Sequence, residues 1–171
     1  SPLTLITVLF PADRIQEAIL TILLIKCALS GLTFGFYLHK HTKDLNKNKV
    51  ILFATMYALS AYAITYQNNI MWLDGLFLLP ILTYSIERLI KHGRCKLFIA
   101  TLALMMMSHY YIGYMLCWYT LFCFFFTYFK EKKEDVNKLA EKNHFIKSFV
   151  RIGVSSALGI GMAAFVIAGA Y

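Results

Sequence analysis

Long apolar blocks, broken by short polar stretches, dominate this chain of 171 residues. Between Lys49 and Glu87 the only formal charge is Asp74, and from Leu97 to Phe129 there is none. A run of about 18 apolar residues is already a transmembrane candidate. Six such segments are read, at about 15–38, 50–67, 73–90, 96–109, 112–129 and 148–169. The pattern predicts an all-α, polytopic transmembrane helical bundle, with residues 1–171 in a single membrane domain. As one helix the uncharged run from 97 to 129 would reach about 50 Å, against a bilayer core of about 30 Å. Two passes joined at Ser108–Gly113 fit instead, each about 24 Å long. Short passes imply a recess on one side, where irregular backbone must be buried in protein or face a wet cavity.

Charge placement orients the bundle. Lys plus Arg number 17 against 9 Asp plus Glu, a net charge of +8. The connections 39–49, 91–95 and 130–147, with their flanking residues, hold every basic side chain except Arg14 and Lys26. The Gln67–Asp74 and Ser108–Gly113 turns carry no Lys or Arg. By the positive-inside rule the basic connections are cytoplasmic and the two turns face outward. The charge is thus a topology signal, and no nucleic-acid partner is expected.

Composition agrees: hydrophobic residues make up 59% and charged ones 15%, whereas soluble domains run near half and a quarter. Of the four cysteines, Cys27, Cys117 and Cys123 lie in apolar runs and Cys95 in a basic loop, with no CxxC and no metal spacing. The mixed-charge stretch 130–147 reads as a solvated helical surface or as a headgroup or partner contact. Gly31 and Gly35 form a small-xxx-small pair, read as close packing within the chain before dimerisation. Met105, Met106 and Met107 read as gap-filling core. The chain opens on Ser1 rather than Met, shows no signal peptide, and stops at Tyr171 inside an apolar run. It is expected to be an internal piece of a longer protein.

Several polar residues stand out against the membrane pattern. Lys26 lies near the middle of the first segment, where a lone cation costs about 2.5–3.5 kcal/mol on insertion scales. It reads either as a ligand for an anionic substrate group or as half of a buried ion pair. In the outer turn 67–74, Asn68, Asn69, Trp72 and Asp74 arrive together. They are turn, belt and helix-cap residues, or they form a substrate-facing rim that Tyr62 and Tyr66 extend. In the second outer turn His109, Tyr110 and Tyr111 are an aromatic belt, or they bind a phosphate or sugar hydroxyl. Arg14, the outer basic residue, is a candidate phosphate clamp or the partner of Asp13 or Glu17. No catalytic triad order, metal-ligand spacing or phosphate-cradling glycine loop is present. The assembled features suit a hydroxylated, phosphorylated amphiphile better than a bare ion.

These same residues carry a resemblance. The stretch MYALSAYAITYQNNIMWLDGLFLLPILTYSIERLIK and the later SHYYIGYMLCWYTLFCFFFTYF resemble the bacterial YfhO family of membrane proteins. The opening SPLTLITVLFP and LLIKCALSGLTFGFYL fit the preceding part of that pattern. The resemblance implies a larger C-type glycosyltransferase fold (GT-C) in a bacterial cytoplasmic membrane, with its active face extracytoplasmic. It implies a polyprenyl-phosphate sugar as donor and an envelope polymer, such as lipoteichoic acid, as acceptor. It assigns no divalent metal. It also implies that the catalytic carboxylate lies upstream of Ser1, so that this piece alone is inactive and Asp74 positions substrate or structure. Lys26 and His109 would be phosphate-side contacts. Asn68, Asn69, Trp72, Asp74, Tyr110 and Tyr111 would form the sugar or acceptor wall. A transporter or flippase of lipid-linked precursors, or a non-catalytic scaffold, are the alternatives.

Overall fold

A computed structural model describes residues 2–42, 45–130 and 138–169. Two 3-10 helices, Pro2–Leu9 and Ala12–Arg14, precede α1 (Ile15–His41) and α2 (Lys47–Ala58). The five-residue α3 (Ala61–Thr65) and a 3-10 turn, Ile70–Trp72, lead into α4 (Leu73–His92). Then follow α5 (Lys96–Ser108), α6 (Tyr110–Lys130) and α7 (Lys138–Ala168), and no strand occurs among the described residues. Four helical stretches are long and apolar enough to cross a membrane: Ile15–His41, Ile70–His92, Tyr110–Phe129 and Asn143–Ala164. The protein is an all-α, multi-spanning membrane bundle. Its chain forms two compact units, Ser1–Ile81 and Leu82–Tyr171.

In the first unit α1 packs along α2. A Cβ added at Gly31 would stand 3.3 Å from the Ala58 Cβ and 3.4 Å from the Ala54 carbonyl, and one at Gly35 3.4 Å from the Ala54 Cβ. Small residues on both helices let the backbones approach, which is how helices associate where lipid removes the hydrophobic drive. The glycine pair therefore serves packing within the chain. The opposite stripe of α1, Ala18, Ile22, Lys26 and Ser30, is buried at four-residue spacing, so Lys26 turns inward with its apolar neighbours.

The expected 50–67 segment is not one helix. Ser60 takes an extended conformation (φ −60°, ψ 155°), and its carbonyl accepts from the Ile64 N–H at 3.1 Å to start α3. Two short helices replace a full pass. Pro80 lies inside α4 and has no N–H, so it strips the Leu76 carbonyl, four residues back, of its helical donor. The Tyr57 hydroxyl donates to that carbonyl at 2.7 Å. Its ring stacks on Phe34 with centroids 4.3 Å apart.

In the second unit α5 packs against both α6 and α7. The uncharged run folds as two helices that meet at His109, whose extended backbone (φ −162°, ψ 108°) ends α5. Gly113 then permits the close return: a Cβ there would fall 2.5 Å from the Met106 Sδ and 3.2 Å from its Cα. Gly159 does the same for α7, with Leu102 and the Ile99 carbonyl within 3.4 Å of an added Cβ. Met105 and Met106 are buried as expected of core, while Met107 is exposed. On α6, Phe124, Phe125 and Tyr128 interlock with Phe145 and Phe149 of α7 at centroid distances of 5.0–6.4 Å. That aromatic seam carries α7 back to Lys138, ten residues before the expected start at 148. Of the 130–147 connection, residues 131–137 lie outside the described ones, and 138–147 are helix. At 13 residues α5 is an apolar helix of about 20 Å, shorter than a bilayer core.

Candidate functional site

The polar residues of the first unit converge on Lys26. Its Nζ stands 2.6 Å from Asp74 Oδ1 and donates to the Ile70 carbonyl at 2.7 Å. Both partners are about 1% exposed. Of the two readings of Lys26, the geometry is that of the buried ion pair, with its carboxylate inside this chain. Asp74 sits in the first turn of α4, where the helix dipole favours a negative charge, and turns toward Lys26 rather than acting as a cap. The contact is ionic rather than an aligned hydrogen bond, and Asp74 Oδ2 is buried with no protein donor among the described residues.

This convergence sets the depth of the connection between α3 and α4. Lys26 lies eleven residues into the 27-residue α1, about 16 Å from its start. The Ile70 carbonyl and Asp74 therefore meet α1 within its apolar Ile15–His41 stretch. Irregular backbone there is tolerated only when covered by protein or facing water. Asn68 and Asn69 are nonetheless exposed. Beside them three rings meet in sequence at tilted angles: Tyr62 against Tyr66 at 4.8 Å and Tyr66 against Trp72 at 4.9 Å. Asn69 shapes the 3-10 turn through its backbone, its N–H bonded to the Tyr66 carbonyl and its carbonyl accepting from Trp72 N–H, both at 2.9 Å. Its side chain makes no cap hydrogen bond.

Within the same unit Arg14 stands apart from this cluster. Arg14 precedes Lys26 by twelve residues, about 18 Å along the helix. It faces Glu17 at 4.0 Å with both side chains more than 60% exposed, the weak surface pair that the sequence left open. His109, Tyr110 and Tyr111 belong to the second unit. There the imidazole lies 5.8 Å from the Tyr110 ring and 6.4 Å from that of Tyr111. His109 Nδ1 is buried without a hydrogen-bond partner among the described residues.

Among the described residues no three His, Cys, Asp or Glu side chains gather as a metal site. Sequence reasoning missed Tyr57 and the Ile70 carbonyl. Tyr57 had a signal, since a proline within a helix always strands the carbonyl four residues earlier. The Ile70 carbonyl had none.

A model of the family described as bacterial membrane protein YfhO matches residues 1–171. The chain belongs to this family. No curated protein and no solved structure matches it. The YfhO match spans both units, so the recessed 67–74 connection and the 108–114 break belong to one family pattern.

Proposed function

We propose that this YfhO chain is part of a membrane glycosyltransferase that moves a sugar from a polyprenyl-phosphate carrier to an envelope acceptor on the extracytoplasmic face. The observation that carries the reading is the Tyr66–Asp74 connection: irregular backbone packed against the apolar stretch of α1, with exposed amides beside three rings in tilted contact. Lipid would not tolerate that surface, and a hydroxylated ring would use it. Aromatic faces offer apolar area to a sugar, and Asn68 and Asn69 offer both donors and acceptors to its hydroxyls.

In the transfer, the bond from the sugar's anomeric carbon to the carrier phosphate oxygen breaks as an acceptor oxygen bonds that carbon. The acceptor's proton passes to a carboxylate, and the carrier phosphate leaves as an anion that polar groups stabilise. Trp72, Tyr66 and the two asparagines supply the positioning surface. Lys26 and Asp74 act as positioning residues, because the ammonium is engaged by Asp74 and by the Ile70 carbonyl. His109, Tyr110 and Tyr111 form a second candidate contact for a hydroxyl or phosphate.

The test uses full-length protein and a labelled polyprenyl-phosphate sugar. Trp72→Ala, Asn68→Ala with Asn69→Ala, Lys26→Ala and Asp74→Ala are each expected to lower transfer at least about tenfold while the protein stays in the membrane. Normal transfer by all four overturns the site. Translocation of labelled carrier lipid without sugar transfer replaces the reading with a transporter. Turn substitutions that break complexes and leave substrate binding intact replace it with a scaffold.

A further inference from the structure

Arg151 falls within the apolar Asn143–Ala164 stretch of α7. A cation beside apolar surface calls for an anionic partner or water, yet no carboxylate of the described residues pairs with Arg151. Its guanidinium lies instead against Gly93, in the turn joining α4 to α5. Gly93 has φ +66°, and an added Cβ would collide with Arg151 Nη1.

The surroundings are cationic on one side and apolar on the other. Exposed Arg94 and Lys96 flank the turn, and exposed Lys147 lies one turn before Arg151 on α7. The start of α5 has no side-chain cap, leaving backbone N–H groups directed at the same turn. Val150, Val154 and Leu158 of α7 are exposed, as expected of a surface facing acyl chains.

We propose that Arg151 and the Gly93 turn bind the phosphate of an anionic phospholipid of the cytoplasmic leaflet. Basic pockets between membrane helices on that side hold such headgroups, and a planar guanidinium matches phosphate oxygens in pairs. The exposed apolar flank of α7 selects a lipid over free phosphate. The site is independent of the proposed transfer and needs only the membrane-spanning bundle.

Purified full-length protein in mixed micelles, titrated with phosphatidylglycerol, phosphatidylcholine or inorganic phosphate and read by native mass spectrometry and thermal stability, tests this. Phosphatidylglycerol is expected to bind and stabilise, and the other two are not. Arg151→Gln is expected to weaken phosphatidylglycerol binding about fivefold or more, the scale of one removed charge. Gly93→Ala, whose methyl displaces the guanidinium, should act in the same direction. Arg94→Gln with Lys96→Gln alters exposed side chains, so it leaves the fold intact and should weaken binding similarly. Unchanged phosphatidylglycerol binding by Arg151→Gln overturns the proposal, as does equal stabilisation by inorganic phosphate. If Arg151→Gln does not fold, unchanged binding by the Arg94/Lys96 variant overturns it.

Discussion

Replacing Lys26 with Met leaves the buried Asp74 without its cation, and replacing Asp74 with Leu leaves the buried ammonium without its anion. Removing one member of a buried pair costs about 3–5 kcal/mol, because the survivor is an uncompensated charge. Here both groups are about 1% exposed, so water cannot take the partner's place. Replacing both by apolar residues of similar volume removes the desolvation penalty along with the attraction and is often neutral. The Lys26→Met/Asp74→Leu protein is therefore expected to recover part of the stability that either single loses. What it does not recover is the 2.7 Å bond from Lys26 to the Ile70 carbonyl. A hydrogen bond from a charged donor contributes about 1.5–3 kcal/mol, and it holds the turn that carries Trp72. The double variant should be stable and still poor in sugar transfer. The assay is the midpoint of thermal loss of monodisperse protein in mild detergent, read beside transfer activity. At about 2–4 °C per kcal/mol for a domain of this size, each single should fall by about 6–20 °C. A double variant as unstable as the singles would refute the electrostatic account. One that is stable and fully active would show that the turn needs no pinning.

Tyr57→Phe strands the Leu76 carbonyl and should cost about 1–3 kcal/mol in the same thermal assay. Adding Pro80→Ala returns an N–H to that carbonyl and should recover much of the loss, so additive losses would show that Tyr57 does not serve the proline. Gly31→Leu forces α1 from Ala54 and Ala58 and should cost about 1–3 kcal/mol by overpacking, measured as a lower thermal midpoint. An unchanged midpoint would mean that the two helices do not meet at these residues.

The membrane class was legible because uncharged length alone decides it, and the helix break near Ser108–Gly113 because a bilayer has a fixed thickness. The interruption at Ser60 was hidden inside an apolar run with no proline or charge. The start of α7 was hidden for the opposite reason: charged residues read as loop, while Phe145 and Phe149 secure a helix against α6. At the site, the unusual residues were visible one by one. The partnership of Lys26 with Asp74, 48 positions later, depends on α1 and α4 meeting, and no local pattern records such a meeting.

Side chains from elsewhere hold the connection between α3 and α4 and the helix that follows it. The proline in α4 leaves the Leu76 carbonyl without its helical donor, and the Ile70 carbonyl, which accepts from the Leu73 N–H, takes a second donor on its free lone pair. Lys26 of α1 supplies one donor and Tyr57 of α2 the other. Both are held by the tight α1–α2 contact through Gly31 and Gly35, since a wider spacing would carry Tyr57 away from Phe34 and Leu76. The small residues far from the pocket and the polar residues within it are thus parts of one requirement. A loop that must present amides and rings inside a membrane has to be hydrogen-bonded from behind, leaving its front for a ligand.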